Sequence, residues 1–461
     1  MLNKRVASYK QYLALFILVL SCGGHAAAQG GIDTGLANRL QASVDSLRAA
    51  YNVKGISAAA FIPGKGTWKG VTGVSYGTLP IDTTMLFSMG SITKTFVAAE
   101  IFKLIDAGSL ALTDTVGSIL PPMPNVNGAI TVKQLLGHRS GMADYLNPSW
   151  QAAMSADPYA MWYYPTALAA FSQPAVGAPG SPYMYCNANY ALLGMIIEAK
   201  TSDSLHRVLR SDFLNPLGLS NTHMEMFEPY PNTIAHNWAG PISDPSLAVD
   251  ESGTPHMALW TSVEAAGGYF SDAADLVKWG YNLYSGNVIS PASLSEMLTF
   301  TGVSSSYFNG YGLGAQRFVA NGRTYVGHAG NYYGYAASMI YYPQDSICVA
   351  VLINTDCIAT FEARALMNAL INKIATGVHE QTWRERVVLS PNPAGNELNI
   401  LVPGNNNVEA TITDISGKEV YRGTLTAGNS SVNTAGYKAG IYFVRLSNYG
   451  AVWQGSVVVQ H

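Results

Sequence analysis

The stretch Phe87-Ser88-Met89-Gly90-Ser91-Ile92-Thr93-Lys94-Thr95-Phe96 sets a Ser-x-x-Lys pair at the start of an apolar-periodic segment. On a helix, positions three apart share a face, so the Ser91 hydroxyl and the Lys94 amine would meet one turn apart. A serine hydroxyl becomes nucleophilic when a nearby base takes its proton, and a lysine amine becomes such a base once burial lowers its pKa. The amino end of a helix adds free N–H donors that favour developing negative charge around Ser91. Taken alone, the same four residues also describe an ordinary helix start followed by a solvated lysine, so the pair needs context.

Two further stretches supply it. Tyr183-Met184-Tyr185-Cys186-Asn187-Ala188-Asn189-Tyr190-Ala191-Leu192-Leu193-Gly194 places a Tyr-x-Asn before an apolar helical run, and Val326-Gly327-His328-Ala329-Gly330-Asn331 places a His-x-Gly between strand-like segments. In this order the three motifs resemble the active-site motifs of the serine β-lactamase and penicillin-binding-protein superfamily, in particular its class C β-lactamase and D-alanyl-D-alanine carboxypeptidase branch. The resemblance runs from about Leu36 to about Ile374 and includes the stretches Ile130 to Gly141 and Ala266 to Leu276. It implies an α+β fold, an antiparallel sheet flanked by helices plus an all-helical lobe, with the active site in the cleft between them. It also implies catalytic roles for Ser91, Lys94 and Tyr185, and substrate-binding or supporting roles for Asn187, His328, Gly330 and Asn331. Ser91 would form an acyl-enzyme, with Tyr185 acting as a phenolate or proton relay whose pKa Lys94 lowers, Asn187 binding the substrate amide, and the backbone N–H groups of Ser91 and Asn331 forming the oxyanion hole.

The coarse pattern along the chain agrees. Leu36, Leu40, Val44 and Leu47 keep a helical spacing, strand-like runs follow over Ile56 to Ile62 and Gly66 to Val74, and the segment after Ser91 reads as a buried helix ending at Gly108. From Asn125 to about Ser262 helices and long loops dominate, and Tyr311 to Ile353 returns to strands, which predicts one sheet built from both ends of the domain.

After about Thr376 the texture changes to short alternating runs separated by turn signals such as Pro391-Asn392-Pro393, Ser416-Gly417 and Ala439-Gly440. This region reads as a small C-terminal β-sandwich with an immunoglobulin-like look. Leu389 to Ala394, Ile412 to Lys418 and Ala439 to Leu446 resemble the type IX secretion sorting domain of Bacteroidetes, which implies a partnership with that machinery and delivery to the cell surface or medium. The alternative is an accessory carbohydrate-binding or adhesive sandwich, against which the scarcity of clustered aromatic residues counts.

Lys4, Arg5 and Lys10 precede an apolar run from Tyr12 to Leu20, and Ala26-Ala27-Ala28 follows. These features read as a secretory signal peptide over residues 1–28, followed by a hydrolase domain at 29–378 and a sorting domain at 379–461. A lipoprotein signal modifying Cys22 is the competing reading, and no later run reaches the ~18 apolar residues of a transmembrane span. With 461 residues, 48% hydrophobic and 12% charged, the chain can bury a large core. Its net charge of −3 and thinly spread Lys and Arg give no footprint for nucleic acid. The histidines lack zinc-ligand spacing, so the expectation is chemistry with no metal and no cofactor. Cys348 and Cys357 could bridge a strand to the next turn, though buried free thiols are expected, and Cys186 lacks a base to make it a nucleophile. His138 and His236 are expected to be structural.

The third motif limits the expected substrate. Class C β-lactamases resembling this chain carry Lys-Thr-Gly where it has His328-Ala329-Gly330, and Ala329 lacks the hydroxyl that helps hold a substrate carboxylate in those relatives. Arg317 is the candidate to compensate, and His328, bordering the Ser91 and Tyr185 cluster, is expected to titrate near or below pH ~6.5 and so to shape activity. The expected substrates are D-amino-acid peptides or esters, in a carboxypeptidase-like or esterase activity. A true β-lactamase and a catalytically idle binder of cell-wall peptides are the alternatives.

Overall fold

The computed structural model describes residues 31–355 and 387–461, apart from 231, 241–246, 254–255, 304, 306–307, 321, 403–406, 427 and 449–450. The signal segment with Cys22, and the stretch holding Cys357 and the expected boundary at 378/379, lie outside the described residues.

The larger unit is built on an eight-stranded antiparallel sheet. Its spatial order is Leu79–Pro80, Gly66–Tyr76, Gly55–Ile62, Ile347–Ile353, Tyr335–Tyr342, Arg323–Tyr332, Gln316–Ala320 and Gly310–Tyr311. The two ends of the unit join at its centre, where Ile56 pairs with Ile353 and Phe61 with Cys348. The run Gly-Ile-Ser-Ala-Ala-Ala-Phe-Ile is nearly continuous in apolar character because helices cover both faces of this strand. Alternation assigns its side chains: Ala58 and Ala60 pack with Leu36, Leu40 and Val44 of the helix Thr34–Tyr51, and Ala59 packs on the other side with Leu276, Val277 and Trp279. Small residues let the layers close: a Cβ on Gly280 would lie 2.7 Å from the Cys348 sulfur. The first helix is capped by Asp33, whose carboxylate accepts from Leu36 N at 2.7 Å, and ends at Asn52 in the left-handed region with φ 51°.

The helical lobe lies in sequence between the two groups of strands. It includes the helices Val132–Leu136, Pro148–Ala156, Tyr164–Phe171, Asn187–Thr201 and Met257–Gly267. The segment after Ser91 opens as a 3₁₀ turn, Gly90–Ile92, and continues as the helix Thr93–Asp106. Ten consecutive residues of that helix, Thr93 to Phe102, are buried, and Phe96 stacks on Trp279 with ring centroids 3.8 Å apart. A helix buried all round is a stiff base for the side chain at its first turn.

The C-terminal strands form two small antiparallel sheets. One orders Val388–Ser390, Glu397–Val402 and Gly428–Asn433, and the other orders Glu419–Leu425, Val408–Asp414, Gly440–Asn448 and Ala451–Val459. Leu398, Ile400, Val402, Ala410, Ile412, Val444 and Leu446 point inward from both sheets into one core, the two-residue alternation of a sandwich. No helix among the described residues is long and apolar enough to cross a membrane.

Candidate active site

The Ser91 turn is held against the strand Arg323–Tyr332 by two glycines. Gly90 takes φ +50°, where a side chain would be strained and its Cβ would lie 2.9 Å from Asn331 N. A Cβ on Gly330 would lie 2.0 Å from the Met89 carbonyl oxygen and 2.9 Å from Ser91 N. Only bare backbone fits on both sides, and the main chains of Ser91 and Asn331 come together beside the serine hydroxyl.

Lys94 is fully buried, and its Nζ has three partners: Ser91 Oγ at 2.9 Å, Asn187 Oδ1 at 2.9 Å and the Ala266 carbonyl oxygen at 2.5 Å. Burial dominates its electrostatics and brings its pKa down to about 7, against an opposing pull from the Asp144 charge. The amide and carbonyl oxygens can only accept, so they take both N–H bonds of the neutral amine and leave its lone pair for the serine hydroxyl. Tyr185 donates its hydroxyl to Ser91 Oγ at 2.8 Å. Burial pushes the Tyr185 phenol well above its ordinary pKa. Of the expected phenolate or relay, the phenolate with a pKa lowered by Lys94 is corrected, and the hydrogen-bonded form is the one present: this tyrosine is a protonated donor.

Asn187 opens the helix Asn187–Thr201. Asp144 accepts from both its backbone N, at 2.9 Å, and its Nδ2, at 2.8 Å, which turns its Oδ1 toward Lys94. One further N–H of the amide remains.

His328 differs from expectation. Its side chain is fully buried and does not line the cleft. His138, at φ 54°, accepts from Cys186 N at 3.2 Å through Nδ1, which fixes the ring proton on Nε2, 3.2 Å from Tyr311 Oη. Tyr311 then donates to His328 Nε2 at 3.1 Å, and His328 Nδ1–H donates to the Ala329 carbonyl at 2.6 Å. Both rings are neutral in this chain: burial, reinforced by the Lys94 charge, takes His328 down to about 3 and His138 well below its ordinary value. The expected His328 titration near neutrality is corrected, and Lys94 is the group placed to ionise there. Arg317 does not supply the missing cation either, because it is absent from the cleft lining, donates to the Asn309 carbonyl at 3.0 Å and lies 5.5 Å over the Phe300 ring.

The cleft has a volume of about 520 Å³. Ser91, Tyr185, Asn187, Ala329 and Asn331 line it together with the apolar residues Leu146, Val263, Phe308 and Phe318. No charged side chain is among the described residues of this lining. Cys186 and Cys348 are buried free thiols, and burial pushes the Cys186 thiol up to about 12. The described residues contain no cluster of side chains suited to a metal ion.

The motifs marked Ser91, Lys94, Tyr185, Asn187, Gly330 and Asn331, and the structure brings these together. Sequence reading missed Asp144, Tyr311 and the carbonyl of Ala266. A backbone oxygen has no sequence signature, and Asp144 follows the Ile130 to Gly141 stretch with no motif of its own.

The beta-lactamase family profile matches residues 40–371, and the profile of a secretion system C-terminal sorting domain matches residues 389–460. Penicillin-binding protein 4* of Bacillus subtilis is 28% identical over 276 residues, covering 57% of this chain and 59% of its own length. Penicillin-binding protein 4 of Amycolatopsis lactamdurans is 30% identical over 199 residues, 41% of this chain and 49% of its own. The chain thus spans about half the length of the curated relatives it matches. A D-stereospecific amidohydrolase from Streptomyces sp. superposes with a TM-score of 0.63 at 26% identity, over 72% of this chain and 98% of the other. The D-amino acid amidase of Ochrobactrum anthropi shares the fold, with a TM-score of 0.66 at 24% identity over 74% of this chain and 99% of the other.

Proposed function

The chain belongs to the beta-lactamase family, and from that membership we propose that it is an exported serine hydrolase that cleaves uncharged-ended D-amino-acid amides, peptides or esters through an acyl-enzyme on Ser91. The observation that carries this reading is the convergence of a deprotonatable Lys94 and a protonated Tyr185 on one serine oxygen, at 2.9 and 2.8 Å.

In the proposed reaction, Lys94 Nζ takes the Ser91 proton as Oγ bonds to the substrate carbonyl carbon. The oxyanion sits between the N–H groups of Ser91 and Asn331. Tyr185 donates its proton to the departing nitrogen or oxygen, and the proton that Lys94 took from Ser91 replaces it on the phenolate, so the leaving group departs neutral. Water, deprotonated along the same path, then hydrolyses the ester on Ser91. Asn187 keeps Lys94 in place and has an N–H to offer the substrate.

The preference for an uncharged end rests on the lining. A carboxylate brought into a cleft without a cation loses hydration worth on the order of several kcal/mol and gains no partner. Likeness to the Streptomyces D-stereospecific amidohydrolase supports the D configuration, and the match to a secretion sorting domain supports export. Intact-mass measurement with a penicillin, a D-Ala-D-Ala peptide, a D-amino acid amide and a nitrophenyl ester tests the reading. Amide and ester should turn over and Ser91→Ala should form no adduct; turnover surviving in Ser91→Ala would refute the nucleophile, and a preference for the carboxylate-bearing substrates would refute the neutral end.

A further inference from the structure

A second cavity, of about 360 Å³, lies at the amino-terminal end of the helix Met257–Gly267, whose carboxy-terminal part lines the catalytic cleft. Val263, Ala266 and Gly267 of that helix line the catalytic cleft, whereas Met257 and Trp260 line the second cavity. Tyr230, Trp260, Phe270 and Tyr335 give it an aromatic wall. The ring of Trp260 also touches Tyr332 of the catalytic cleft, with centroids 4.3 Å apart.

Glu225 is the group in this cavity that nothing explains. Its backbone N–H donates to the Gly268 carbonyl at 3.1 Å, but Oε2 is buried with no hydrogen-bond partner among the described residues. Leaving such an oxygen unsatisfied is destabilising, so it calls for a ligand or a protein partner. Burial, with no cation to oppose it, raises the carboxyl to about 8, so without a cation beside it Glu225 is a neutral acid at pH 7. The other titratable groups facing the cavity do not neutralise it. His236 is bonded to Asp250 at 2.6 Å, and His256, lowered by burial, is bonded to the Glu251 carbonyl at 3.2 Å. The Tyr230 and Tyr335 phenols are raised by burial, and no lysine or arginine is among the described lining residues.

We propose that this cavity binds a small organic ammonium ion, with its charge on the Glu225 carboxylate and its alkyl groups against the faces of Tyr230, Trp260 and Tyr335. An electron-rich aromatic wall beside a carboxylate favours a cation over a neutral molecule of the same shape. When the ligand is a quaternary ammonium it brings no proton, so its binding ionises Glu225 and releases that proton to solvent.

Calorimetric titration of the full-length protein with choline, in buffers of different ionisation enthalpy, tests this. One site per chain is expected, with about 0.9 proton released per choline at pH 7, almost none at pH ~10, and binding about tenfold tighter at pH 9 than at pH 7. Dimethylbutanol, the neutral carbon isostere, should not bind. Glu225→Gln should remove both binding and proton release, and Ser91→Ala should bind choline as the wild type does. Equal binding of choline and its isostere, binding without proton release, loss of the site in Ser91→Ala, or no binding below ~10 mM would each overturn the proposal. The isostere comparison uses unaltered protein and holds whether or not Glu225→Gln folds.

Discussion

Asp144 turns the side chain of Asn187 so that its oxygen, and not its nitrogen, faces Lys94. The carboxylate accepts from Asn187 N and Nδ2 at 2.9 and 2.8 Å, and Oδ1 is left 2.9 Å from Lys94 Nζ. It also raises the Lys94 pKa through its charge, against the larger lowering effect of burial. Asp144→Asn removes the charge, so the Lys94 pKa should fall and the acidic limb of kcat/KM should move to lower pH. Its amide can also let Asn187 turn over, and kcat should drop roughly 10- to 100-fold as the lysine loses its fixed orientation. A pH–rate profile of the variant checks both effects.

In the wild type, activity should rise with pH through a single ionisation near 7, because Lys94 with its pKa of about 7 must lose its proton to act as a base. Below that pH the ammonium has no lone pair for Ser91. A rate independent of pH between about 5 and 9 would remove Lys94 as the base. Lys94→Arg, permanently charged, should lose activity at every pH in that range.

Gly330→Ala tests the backbone contact at the serine turn. The new Cβ, 2.0 Å from the Met89 carbonyl oxygen, must push the strand away from Ser91 and separate the N–H groups of Ser91 and Asn331. Overpacking of this kind costs about 1–3 kcal/mol of stability, and losing one oxyanion donor lowers kcat by about 100-fold or more. Thermal unfolding and single-turnover acylation separate the two losses.

Tyr311→Phe cuts the link between His138 and His328 and leaves both Nε2 atoms without their buried partner. A loss of about 1–3 kcal/mol in stability is expected, with the acidic limb near pH 7 unmoved because neither ring ionises there. His328→Lys should be worse, by about 3–5 kcal/mol, since it buries an unpaired ammonium at a fully enclosed position. Chemical denaturation measures both, and a lysine variant as stable as the wild type would place His328 at the surface.

Apolar periodicity in the sequence pointed to one sheet built from both ends of the domain, an inserted helical region and a C-terminal sandwich, because apolar spacing records which faces are buried; that the sheet is antiparallel was implied by the resemblance of the motifs to a known family. Helical spacing paired Ser91 with Lys94, and the resemblance of the ordered motifs to a known family implied that Tyr185 and Asn187 join them. Tertiary structure decided how those groups are charged. Burial makes Lys94 the ionising group near pH 7 and keeps Tyr185 protonated, the reverse of a lysine-stabilised phenolate, because the desolvation of a side chain depends on all the elements packed around it. It also decided that His328 faces Tyr311 and not the cleft, and that Asp144 and the Ala266 carbonyl complete the lysine's surroundings. These contacts join residues far apart in the chain, and nothing in the spacing of the intervening residues encodes them.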